Sequence, residues 1–158
     1  MKGHDALTSS VSQNWATPPD LYLTLHNEFV FTLDACADES NHKCDKYFTE
    51  AQDGLKQEWQ GYTAFINPPY NETKLWVEKA IEQHHKYGIT IVMLLASRTG
   101  NKTWHELIVP HAKQIRFLKG RIKFVGATSG ATFDSAIVVF STKSTDKAFE
   151  KFVFIDYR

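Results

Sequence analysis

An α/β fold with a mainly parallel sheet and an antiparallel C-terminal part is predicted by three features of the 158-residue sequence. Short apolar runs alternate with amphipathic helical stretches through the first two thirds of the chain, the pattern of βα units. The run ITIVMLLA (89–96) is continuously apolar, which suits a strand buried on both faces. The later runs QIRFL, RIKFV, SAIVVF and FVFI follow one another with little helix between them, which suggests antiparallel additions to the sheet.

Taken in order, residues 1–13 are polar and aperiodic and read as a flexible N-terminal arm, with residues 14–158 as a single domain. TPPDLYLTLHNEF (17–29) reads as a helix, with Thr17 as N-cap, prolines in the first turn and Leu21, Leu25 and Phe29 on one stripe. FVFTLDA (29–35) is a short buried strand ending at Asp34. KYFTE (46–50) reads as another short strand, and DGLKQEW (53–59) as a turn leading into helix. YTAFI (62–66) is a clear strand. Glu72 to Tyr87 is helical, with Leu75, Val77, Ala80 and Ile81 facing the core and Gly88 at the C-terminal stop. After the 89–96 strand, a helix over KTWHELIV (102–109) is expected to end before Pro110, because proline blocks the helical ladder. A short helix near Ala148 precedes the last strand. The chain contains no internal repeat or low-complexity linker.

Composition narrows the function classes. Lys plus Arg and Asp plus Glu each number 18, so the formal charge is zero and any nucleic-acid partner must meet a local basic face. Eleven Phe, six Tyr and four Trp leave rings for stacking beyond the core. Cys36 and Cys44 are too few for a disulfide framework and fit a reducing compartment. His42-Lys43-Cys44 has no second ligand pair at zinc spacing, so no metal site is expected. The N-terminus lacks the apolar core of a signal peptide, and no stretch reaches membrane-spanning length. A cytoplasmic protein with no membrane segment is the expectation.

One motif carries chemistry. Asn67-Pro68-Pro69-Tyr70 stands where the YTAFI strand ends, and in a parallel α/β sheet ligands sit beyond the carboxyl ends of strands. The residue before a proline is driven to extended angles, and two prolines fix the next two φ values. Asn67 and Tyr70 are thereby held in set directions. That arrangement suits methyl transfer to an exocyclic aromatic amine, whose lone pair is delocalised into its ring. Two acceptors, Asn67 Oδ1 and the Pro68 carbonyl, can take its N–H groups and release the lone pair for attack. Tyr70 can stack on a base turned out of its helix. Asn and Pro also make ordinary turns. A chance match to this four-residue pattern is expected in roughly 1 % of chains this long, and a preceding buried strand makes it rarer.

Asn-Pro-Pro-Tyr is the motif of S-adenosylmethionine-dependent amino-methyltransferases. The wider chain resembles the small phage-type DNA N-6-adenine methyltransferases through WATPPDLYLTL, FTLDACADESNHKCDKYFTEAQDGL, FINPPYNETKLWVEKA, LLASRTGNKTWHE and FLKGRIKF, in that family's order. The resemblance implies a Rossmann-like methyltransferase fold, S-adenosylmethionine as cofactor, adenine in DNA as substrate, and a phage or prophage origin with action in the bacterial host cytoplasm. It also implies that Trp15, Thr17 and Pro18 pack against the cofactor and that Asp34, Ala35 and Cys36 approach it closely, Asp34 meeting its amino end. Glu50 and Asp53 are candidates for holding its ribose hydroxyls or its adenine amine, Asp53 being favoured. For DNA, Arg98 follows a buried strand, and Arg116, Arg121 and Lys123 read as a basic strand face opposite Ile122 and Phe124. Rival readings are an enzyme acting on another planar amine (cytosine N4 or a protein glutamine) and a catalytically inactive DNA binder, which would have no need of Asn67.

Overall fold

Why the longest apolar run is continuous is explained by what lies on either side of it. The computed structural model describes residues 16–143 and 150–157. Its strands are β1 (Leu33–Asp34), β2 (Lys46–Tyr47), β3 (Ala64–Ile66), β4 (Ile91–Ala96), β5 (Gln114–Leu118), β6 (Ser135–Phe140) and β7 (Phe152–Ile155). They form one sheet in the order β2-β1-β3-β4-β6-β5-β7. Along β4, Ile91, Met93 and Leu95 join one core with Trp59, Trp76 and Trp104, while Val92 and Leu94 join a second core with Leu21, Leu25 and Phe65. Both faces of the strand are therefore dry, and the period-2 alternation is lost from the sequence.

The pairs β1–β2, β1–β3, β3–β4 and β5–β7 are parallel. The antiparallel character is concentrated in β6, which runs against both β4 and β5. With β2 and β3 on opposite sides of β1, the winding reverses between β1 and β3. That reversal leaves a crevice beyond their carboxyl ends, the usual ligand position in open α/β sheets.

Helix α1 spans Pro19–Phe29 and buries Leu21 and Leu25. Its N-cap is Pro18 rather than Thr17, and no side chain caps it. The two prolines start the helix one residue later than the sequence suggests, and the Thr17 hydroxyl is engaged elsewhere. Helix α2 spans Thr73–Tyr87, follows a 3-10 turn at Tyr70–Glu72, and stops at left-handed Gly88. Leu75 is 53 % exposed, and Trp76 takes the core position with Val77 and Ala80. An indole buries more apolar surface than a leucine side chain, and this one also donates from Nε1 to Glu72 Oε2 at 3.2 Å. DGLKQEW forms only the 3-10 turn Gly54–Lys56.

After β4, a π-helix at Thr103–Ile108 runs into an α-turn, α3 (Val109–His111). The helical path thus continues past Pro110 instead of stopping before it. Pro110 has no N–H to give to that path, which ends one residue later at His111, with Ala112 N donating to the Ile108 carbonyl at 2.8 Å. RIKFV forms no named strand; only Val125 bridges, to Ala16. β5 is already flanked by β6 and β7, so RIKFV cannot pair beside it. Ile122 and Phe124 are nevertheless buried, with Arg121 and Lys123 exposed between them. The arm over residues 1–13, Trp15 and the expected helix near Ala148 lie outside the described residues.

Candidate active site

Asn67 leaves β3 at the reversal point. Pro69 holds φ −56° and ψ 137°, so the chain stays extended before the turn at Tyr70–Glu72. Thr73 Oγ1 donates to the Tyr70 carbonyl at 3.0 Å and closes that turn. The Asn67 amide donates from Nδ2 to Thr17 Oγ1 at 3.1 Å. The half-buried Tyr70 ring meets Phe133 edge-on, with centroids 4.6 Å apart, and Phe124 at 6.4 Å. Burial holds the Tyr70 phenol well above its ordinary range, so it stays protonated. The Arg98 guanidinium lies 5.7 Å from the Phe133 ring centre. Phe133 was not singled out from the sequence. Its only signal there is a lone aromatic residue within the small, polar stretch GATSGATFDS.

Beside this loop a cavity of about 660 Å³ opens over the ends of β1 and β3. It brings together Thr17, Asp34, Ala35, Cys36, Glu50, Asp53, Asn67 and Pro69, which are scattered between positions 17 and 69 of the sequence. Pro18, Pro68 and Tyr70 do not line it. The walls include residues that sequence reasoning missed, among them Phe48, Leu55, Glu72 and Trp76. Aromatic and leucine residues give no sign in a sequence of whether they line a core or a cavity wall.

Asp34 is the buried charge of this cavity, 4 % exposed. Its Oδ2 accepts from the Lys43 backbone N–H at 3.0 Å, while Oδ1 is buried with no hydrogen-bond partner among the described residues. Burial raises its pKa to about 7, against the opposing pull of the Lys43 and Cys36 backbone N–H groups. The loop that presents Lys43 contains no glycine. Asp38 organises it instead, accepting from the Ser40 and Asn41 backbone N–H groups at 2.7 and 3.0 Å. Asn41 returns the contact, its Oδ1 accepting from Asp38 N at 2.9 Å. His42 stacks on Tyr47 with ring centres 4.0 Å apart. Burial pushes the Cys36 thiol far up, which makes it a packing residue rather than a nucleophile.

Asp53 adopts a left-handed conformation, φ 53°, and accepts from the Leu55 N–H at 3.2 Å. It is thus both a turn residue and a cavity residue. Gly54 behind it is required for close packing, since a Cβ there would meet the Ala35 carbonyl oxygen at 2.1 Å.

The four basic residues separate. Arg98 is exposed beside the Tyr70–Phe133 cluster, and Arg121 and Lys123 are exposed on the 119–134 loop. Arg116 is a correction. It is 7 % exposed and binds Glu28 through both terminal nitrogens at 2.6 Å. Its Nε donates to Gln114 Oε1 at 2.7 Å. In β5 its side chain points under α1, not to solvent, so it is not part of a phosphate-gripping face.

A sheet reversing beside an Asn-Pro-Pro-Tyr loop, over a cavity with a buried acid at the end of β1, defines an amino-methyltransferase architecture. The chain matches the family described as DNA N-6-adenine-methyltransferase (Dam) over residues 5–149. It is 33 % identical over 138 residues to a DNA N-6-adenine-methyltransferase of Haemophilus phage HP1, covering 82 % of this chain and 79 % of that protein. To the DNA N-6-adenine-methyltransferase of Escherichia phage T1 it is 27 % identical over 142 residues, covering 79 % of this chain and 59 % of that protein. The chain belongs to the DNA N-6-adenine-methyltransferase family. Membership implies S-adenosylmethionine as methyl donor and DNA as substrate. The cavity suits that donor: the partnerless Asp34 Oδ1 is a buried acceptor for a cationic group, and the cavity walls combine acids with flat apolar side chains. Among the described residues no helix is long and apolar enough to cross a membrane.

Proposed function

We propose that residues 14–158 form one methyltransferase domain that methylates adenine N6 in DNA through the Asn67–Tyr70 loop. The observation that carries this reading is the shared rim: Asn67 lines the Asp34 cavity on one side and is followed, three residues on, by the Tyr70–Phe133 ring pair on the other. When bound, S-adenosylmethionine supplies a methyl group made electrophilic by its sulfonium centre. Asp34 meets the donor's ammonium group, Asp53 or Glu50 its ribose hydroxyls, and Trp76, Phe48 and Leu55 its flat ring. Asn67 Oδ1 and the Pro68 carbonyl accept the two N–H groups of the target amine, which localises its lone pair. Tyr70 stacks on the extruded base, with Phe133 holding the Tyr70 ring upright. Arg98, Arg121 and Lys123 supply phosphate contacts. Both relatives are phage proteins, which supports a phage or prophage origin and action in the host cytoplasm.

The test is methyl transfer from labelled S-adenosylmethionine to DNA duplexes with and without adenine, followed by nucleoside analysis. Label in N6-methyladenine is the expected result. Label in N4-methylcytosine or in protein, or no transfer at all, would overturn the assignment.

A further inference from the structure

Thr17 precedes α1, is 2 % exposed, and does not cap the helix it introduces. Its hydroxyl oxygen accepts from Asn67 Nδ2 instead, 50 positions along the chain. The backbone around it is anchored on both sides. Pro18 is held at φ −56° and ψ 134°, and the Ala16 carbonyl accepts from the Val125 N–H at 3.1 Å. With the backbone fixed and the side chain β-branched, the hydroxyl has little freedom of its own.

A primary amide is nearly symmetric in shape but not in chemistry. One orientation offers an acceptor oxygen, the other an NH₂ donor. Toward a substrate that is itself an amine, the second orientation sets donor against donor. We infer that Thr17 is a positioning residue that holds the Asn67 amide with its nitrogen toward Thr17 and its oxygen toward the substrate nitrogen. The inference rests on the reading of Asn67 given above. In the observed arrangement the hydroxyl accepts from Nδ2, and losing that one hydrogen bond corresponds to roughly a tenfold effect on rate.

Thr17→Val keeps the volume and removes the hydroxyl, and Thr17→Ser keeps the hydroxyl. Single-turnover methyl transfer at saturating donor, donor affinity from tryptophan fluorescence, and thermal melts are measured on both, beside Asn67→Ala. With each protein saturated with donor, Thr17→Val is expected to slow transfer about tenfold, and Thr17→Ser to restore most of the rate. A merely structural role would lower the melting temperature and leave the rate per folded molecule intact, which overturns the inference. So would a Thr17→Ser protein as slow as Thr17→Val. If Thr17→Val does not fold, Thr17→Ala takes its place under the same criteria. A wild-type rate in Thr17→Val with Asn67→Ala inactive overturns this inference alone, whereas a wild-type rate in Asn67→Ala withdraws the functional reading beneath it.

Discussion

At the scale of single residues, the proposed function rests on two side chains that would work by opposite means. In the proposed reading Asn67 is a prearranged dipole, so Asn67→Ala is expected to lower kcat by about 10²–10³, by analogy with removing one oxyanion-hole donor. Donor affinity should persist, and single-turnover rates beside thermal melts separate this from loss of a turn. Asp34 acts as a buried titratable group. Its pKa rises from an ordinary 3.8 to about 7 in the folded protein, because burial penalises the carboxylate. The folded state therefore holds a proton that the unfolded chain has lost over that window. The stabilising contribution is fully present below about pH 4 and is lost as pH rises through about 7. Without donor, stability should fall across this range, and Asp34→Asn should flatten the profile in pH-dependent urea melts. A cationic donor group prefers the carboxylate, so donor affinity should climb between about pH 6 and pH 8 in wild type and not in Asp34→Asn. An affinity independent of pH would remove Asp34 from the donor site.

At the scale of elements, the Arg116–Glu28 pair shows how a charged residue in a strand pattern is redirected by packing. β5 is enclosed by β6 and β7, and α1 lies over it, so Arg116 reaches Glu28 and places its guanidinium 5.3 Å from the Phe29 ring centre. With side-chain exposures of 9 % and 13 %, the pair ties the helix to the sheet out of water. Arg116→Ala strips the largely enclosed Glu28 carboxylate of two charge-assisted bonds at 2.6 Å and should cost up to about 3–5 kcal/mol in denaturant unfolding. Replacing both partners with apolar residues of similar volume should cost far less. An Arg116→Ala protein as stable as wild type would mean that the Glu28 charge is satisfied without Arg116.

At the scale of the whole molecule, zero net charge leaves DNA binding to local cations. Neutralising Arg98, Arg121 and Lys123 together should reduce the slope of log affinity against log salt by about one for each residue that touches a phosphate, while donor binding stays unchanged. An unchanged slope would move the DNA path to another face. The α/β class, all seven strands and helices α1 and α2 were legible from apolar runs and proline and glycine punctuation, because those signals are local. Placing Thr17, Asp34, Asp53 and Asn67 at one cavity rested on motif position and resemblance, since no spacing encodes which strand ends adjoin.

By itself the sequence determined the alternation of strands and helices, the stiff Asn-Pro-Pro-Tyr turn and the family, because backbone preferences and motif order are properties of neighbouring residues. Packing in three dimensions brings the Thr17 hydroxyl to the Asn67 amide rather than to its own helix, puts Arg116 beneath that helix, and stands Phe133 against Tyr70. These outcomes depend on strand order and on which side chains packing leaves in reach of one another. A one-dimensional pattern carries the faces of an element but not the identity of what covers them.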